Sequence, residues 1–158
     1  MNHFSHKLLA TLVLAAACSA PASAQTPAAD GIIRVRSAYS MEETIARIRG
    51  DIAAKGILFF QAVDQSQLAA KAGITLRPST LLEFGNPPLG AQFLTANANA
   101  GLDWPVRLLV SQDESGAVWA AWTDFAWIAK RHGISNRQEQ FATATGVVES
   151  ITSTIRQR

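Results

Sequence analysis

Apolar residues recur along this chain with two rhythms, and most of its elements can be drawn from them. Between residues 40 and 56, Met41, Ile45, Ile48 and Ile52 return every three or four positions, the spacing of one helix face, and Gly56 ends the run. Ser40 followed by Glu43 is a capping box, and the opposite face (Glu42, Glu43, Arg47, Arg49, Asp51, Lys55) is a solvated charge stripe. A second helical stretch closes the chain, with Phe141, Ala144, Val148, Ile151 and Ile155 stepping by 3 and 4 behind Ser135 and Gln138, a second capping box. Residues 31–37 (GIIRVRS) alternate, Ile33 and Val35 against Arg34 and Arg36, which predicts a strand with one wet face near a sheet edge. Residues 57–63 (ILFFQAV) are apolar on both sides and predict a central strand instead.

The remaining elements follow from caps and turns. Asp64 and Gln67 cap a short helix that stops at Gly73, and a strand over residues 76–84 carries Pro78 in its first half. Asn86 before Pro87 and Pro88 opens a helix to about residue 96. Residues 97–103 form a loop, and 104–111 (WPVRLLVS) and 117–123 (AVWAAWT) are strands joined by an Asp113–Gly116 hairpin turn. Asp124 caps a short helix (FAWIAKRH) ended by Gly133. Trp119 and Trp122 point to opposite sides of the sheet, and two strands are apolar both ways. Both sheet faces therefore need cover, which predicts a homo-oligomer, most simply a dimer.

The N-terminus changes where this domain is expected to work. Lys7, an apolar run over residues 8–17 and Ala22-Ser23-Ala24 together read as a secretory signal peptide cleaved after Ala24. The run is too short for a bilayer-spanning helix, so no transmembrane segment is expected after its removal and a periplasmic or secreted protein follows. The division is then signal peptide 1–24, flexible linker 25–30 and one domain over 31–158. The lone cysteine, Cys18, falls inside the leader; the alternative is a lipoprotein anchored through it.

Charge and composition narrow the chemistry further. Fourteen basic against 12 acidic residues give a net +2, which argues against nucleic acid as a partner. His3 and His6 leave with the leader, so His132 is the sole histidine of the mature chain, and no metal site or cofactor is expected. No G-x-S-x-G, P-loop, dinucleotide glycine pattern or H-E-x-x-H occurs.

Candidate ligand contacts are Glu83, Asn86, Asp103, Arg107, Asp124 and His132. Glu83, Asn86 and Asp103 flank the turns at Gly85 and Gly101, and Arg107 interrupts an apolar strand, where it needs a carboxylate (Asp103, Asp124 or Glu83) or an anionic ligand. Each has a plainer use as well: Asn86 and Asp124 as caps, Asp103 as a turn former, Glu83 as an outward strand residue, His132 as a last-turn cation. Asp124 and His132, eight residues apart on one helix, are separated by about 12 Å and form no dyad by themselves.

The segment FGNPPLGAQFLTANANAGLDWPVRLLV, followed by GAVWAAWTDFAWIAKRHGI, resembles the bacterial domain-of-unknown-function 302 (DUF302) family. The marks are Phe84-Gly85-Asn86-Pro87, Gly101-Leu102-Asp103 before Pro105, Asp124 and Arg131-His132-Gly133. The resemblance implies an α+β fold: a β-α-β(4)-α curled antiparallel sheet on two long helices, TATA-binding-protein-like and often dimeric, here with two or three short inserted helices. It implies no reaction. The expected function is a non-catalytic module binding a small anionic or amphipathic ligand, or a partner. The alternatives are a hydrolase- or lyase-type enzyme using His132, Asp124 or another carboxylate and Arg107, and a purely structural assembly protein.

Overall fold

The computed structural model describes residues 30–157; the leader and nearly all of the linker lie outside them. Five strands, β1 (Ile32–Arg36), β2 (Leu58–Asp64), β3 (Ser79–Gly85), β4 (Val106–Gln112) and β5 (Val118–Thr123), form one antiparallel sheet in the order β1-β5-β4-β3-β2. Helix α1 (Met41–Ala54) follows β1, α2 (Gln65–Lys71) follows β2, and α3 (Pro87–Ala96) leads into a 3₁₀ turn, Ala98–Asp103. Helices α4 (Phe125–Arg131) and α5 (Gln138–Ser153) follow β5. This is the α+β, β-α-β(4)-α order the sequence predicts, with α2, α3 and α4 as the short insertions.

One sheet face is dry because α1 and α5 lie on it. Ile48 and Ile52 from α1, Val148 and Ile151 from α5 and Ile155 just after it are buried among Ile33, Val35, Leu82, Phe84, Leu108, Val110 and Trp122. Cutting any of the wholly buried Ile48, Ile52 or Ile151 to alanine costs about 2–5 kcal/mol. Two buried hydroxyls at the α1 entry satisfy each other, Ser37 Oγ and Thr44 Oγ1 at 2.6 Å. The caps form where predicted: Ser40 accepts from the Glu43 amide, Asp64 from Gln67, Asn86 from Leu89 and Asp124 from Ala126. Ile74 closes α2 by donating to Ala69 O, the hydrogen bond expected of a Schellman end.

Three expectations need correction. The α5 capping box does not form: Arg137 is the N-cap with no side-chain bond, and Gln138 instead donates to the carbonyl of Ser135. The strand predicted over 76–84 begins at Ser79: Pro78 accepts from the Gln112 amide through its carbonyl but has no N–H to give the ladder. The third concerns β2, which is an edge strand and not a central one. None of its residues is buried, and a bulge between Phe59 and Gln61 breaks its ladder with β3. The other edge, β1, lies where its alternation placed it.

The second sheet face is neither dry nor polar. Ile32, Leu81, Leu109, Trp119 and Ala121 are half-buried there, with Arg34, Arg36 and Arg107 exposed beside them. Trp119 and Trp122 point to opposite sides, as predicted; it is Trp122 that faces the core and Trp119 this open side.

Candidate functional site

Asp103 is the charged centre of the molecule. The 3₁₀ turn starts with Asn97 Oδ1 accepting from the Asn99 amide and ends by turning Asp103 inward, its side chain only 4% exposed. Helix α4 runs out of β5 and brings two residues of its C-terminal end to that carboxylate. Arg131 Nη1 donates to both oxygens, 3.1 Å to Oδ1 and 3.2 Å to Oδ2, and His132 Nε2 lies 2.6 Å from Oδ2. From β4, Arg107 Nη2 reaches Asp103 Oδ1 at 3.3 Å and the Leu102 carbonyl at 2.7 Å. Asn97 completes the tie by donating to the His132 carbonyl at 2.9 Å. A carboxylate this buried is tolerable because several donors saturate it, and the same saturation leaves it no oxygen for a substrate.

Of the six predicted contacts, the fold brings three together: Asp103, Arg107 and His132. Arg131 belongs with them and was absent from the predicted set; its place in the last turn of α4, beside His132, was the available signal. Glu83 sits opposite Arg107 in the β3–β4 register but accepts from Gln61 Nε2 at 2.8 Å, on the open face. Asp124 serves α4 as its N-cap, and Asn86 serves α3 in the same way. Trp122 Nε1 is buried without an acceptor among the described residues, and Trp122 borders a cavity of about 20 Å³ shared with Asp103, Arg107 and Thr123, a volume suited to one water-sized occupant.

The second feature is built on Trp104. Its indole lies over two glycines: a Cβ at Gly85 would stand 2.6 Å from Cζ2, and one at Gly90 would stand 2.1 Å from Cε2. Phe93 meets the indole edge-on, centroids 6.4 Å apart, and stacks in turn on Phe141 at 4.3 Å. Beside the indole opens a cleft of about 270 Å³ with apolar walls from Ile57, Phe84, Leu89, Val106 and Val148. Its polar groups are few: Asn86, Thr143 and Lys55, the last paired with Asp51 at 2.9 Å. A broader, shallower groove of about 360 Å³ crosses the open sheet face between Ile32, Leu109, Trp119 and Ala121. Among the described residues, no group of three or more His, Cys, Asp or Glu lies close enough to hold a metal ion.

The model of the domain of unknown function DUF302 matches residues 33–155. The chain is a DUF302 protein. A crystal structure of an uncharacterised conserved DUF302 protein from Bacillus stearothermophilus superposes with a TM-score of 0.74 at 20% identity, covering 81% of this chain and all of that one. The DUF302 fold is therefore shared between them. Among curated proteins, the chain is 36% identical over 122 residues to a protein named fluoride-specific ion channel FluC 1 of Brucella suis biovar 1, which spans 75% of this chain and 48% of that protein. The FluC 1 protein of Brucella abortus biovar 1 matches at the same identity over 45% of its length. The DUF302 chain thus spans about half the length of the curated relatives it matches. Among its described residues, no helix is long and apolar enough to cross a membrane.

Proposed function

We propose that this DUF302 protein is an exported, non-catalytic module that works as a homodimer and binds a small amphipathic ligand in the cleft beside Trp104. The observation that carries the proposal is the cleft itself. It is concave and apolar, is walled by an aromatic ring held between two glycines, and has a few polar groups to orient a head group. Lys55 beside it favours a ligand with an anionic head. An enzyme using His132 is the weaker alternative, because its pair with Asp103 is buried, the two side chains 5% and 4% exposed, and ties down the fold around it. The relatives named as fluoride channels add support from another side. A domain matching about half of such a protein, without a membrane-crossing helix among its described residues, suits an accessory binding role beside the part of those relatives that this chain does not match.

The ligand reading is tested by thermal shift with octanoic acid and octanol. Octanoic acid should raise the melting temperature, octanol less, and Thr143→Trp or Val147→Trp, which fill the rim, should remove both shifts. No shift with either probe and none lost in the variants would end it. N-terminal sequencing of the protein recovered from its producing cells tests cleavage after Ala24 against lipidation at Cys18.

A further inference from the structure

A buried donor without an acceptor calls for a physical reason, and Trp122 carries one. Its side chain is 3% exposed, and its Nε1–H meets no acceptor among the described residues. Trp122 borders the cavity of about 20 Å³ between the start of β4 and the end of β5, and neither of the larger clefts described above. The polar groups that share this cavity with it are Asp103, Arg107 and Thr123, and apolar side chains make up the rest of the wall.

The count of donors and acceptors decides what suits such a space. Asp103 has no acceptor to spare. A carboxylate offers about four lone-pair sites, and four hydrogen bonds fill them, from Arg107 and Arg131 on Oδ1 and from Arg131 and His132 on Oδ2. Arg107 is a donor only. It reaches the turn through Nη2 alone, which leaves the hydrogens on Nε and Nη1 without a partner among the described residues. The indole is likewise a donor only, and the Thr123 hydroxyl can turn its hydrogen towards the same point. A water there would accept readily and find little to donate to, whereas an occupant that only accepts satisfies every group.

Charge points the same way. Two guanidiniums, Arg107 and Arg131, meet one carboxylate, so the cluster holds surplus positive charge before His132 is counted. Asp124, next to Thr123 on the chain, spends Oδ1 on the Ala126 amide and does not line the cavity.

We infer that this cavity is a binding site for one monatomic anion of fluoride's size, held by Trp122 Nε1, Arg107 and the Thr123 hydroxyl. Fluoride is close to water in radius, while chloride and bromide are larger and overfill a space of about 20 Å³. The half-exposed Arg107 is the side from which the ion enters. Val106 is the one residue this site shares with the cleft beside Trp104, so either site can fail without the other.

The test follows the indole N–H resonances of the four tryptophans in the nitrogen-15-labelled full chain at neutral pH. Sodium fluoride, with ionic strength held constant by sodium gluconate, should move the Trp122 resonance saturably and leave those of Trp119 and Trp127 in place. Chloride should bind more weakly than fluoride, and bromide more weakly still. The resonance is assigned by its loss in Trp122→Phe or, should that variant not fold, by through-bond correlation in the unmodified protein. Arg107→Gln, at a half-exposed position, should weaken fluoride binding about tenfold, the worth of one charge-assisted hydrogen bond. A Trp122 resonance that answers to no halide would mean that the cavity takes water only, and the site is then overturned. Equal shifts of all four indoles, tighter binding of bromide than of fluoride, or an undiminished response in Arg107→Gln overturn it as well.

Discussion

Gly90→Ala puts the Trp104 cradle to a test in which two effects have opposite signs. In a helix interior alanine is favoured over glycine by about 1 kcal/mol, so with nothing else in play the change stabilises. Here the new Cβ would stand 2.1 Å from Trp104 Cε2 and 2.6 Å from Nε1. The indole cannot slide clear, because Gly85 already closes on its other atoms. Overpacking of this kind costs about 1–3 kcal/mol, so the net result is a loss of up to about 2 kcal/mol. Gly146→Ala in α5 is the control, since a Cβ there meets nothing within 4 Å, and the full gain of about 1 kcal/mol is expected. At about 3–5 °C per kcal/mol for a domain of this size, calorimetry should place the two variants roughly 10 °C apart. Trp104→Leu should reverse the sign of the Gly90→Ala effect, a coupling that a double-mutant cycle reads directly. Equal stabilisation by the two alanines would refute the cradle.

Further outcomes follow from the same packing and pairing. Asp103→Asn should cost about 3–5 kcal/mol in urea unfolding, because it removes the charge that Arg131 and His132 face; a loss under about 1 kcal/mol would show the cluster to be ornamental. Arg107→Ala should cost under about 1 kcal/mol in the same assay, its side chain being 47% exposed and its carboxylate still held by two other donors. Asp113 accepts from the Ser115 hydroxyl and the Trp119 indole, which hold its carboxyl down at about 2. A folded value below the unfolded one means a contribution complete above pH 3.8 and lost as pH falls towards 2. Asp113→Asn should therefore flatten that stretch of the stability profile, and an unchanged slope would count against these bonds.

Local chemistry was legible in the sequence and long-range chemistry was not. Ser40, Asp64, Asn86 and Asp124 announce their helices because a cap acts within three residues, and the wet face of β1 shows in its alternation. The pattern of β2 was read correctly and placed wrongly. An apolar strand suits the middle of a sheet, but β2 lies at the edge with none of its residues buried, so composition alone did not report its place. Asp103 meets His132 across 29 residues, a distance no periodicity spans, although the need of Arg107 for a carboxylate partner was foreseeable. Gly85 and Gly90 looked like turn and helix residues, and their use as floor for an indole depends on where Trp104 arrives.

One carboxylate fastens the 3₁₀ turn and the start of β4, which follow one another on the chain, to the end of α4, 28 residues on. The start of β4 is held least, Arg107 being 47% exposed, but the turn and the end of α4 cannot part without leaving the buried carboxylate short of donors. Amide hydrogens in residues 98–103 and 128–132 should thus exchange with deuterium at one shared rate, as a single cooperative patch surrounded by segments that breathe independently.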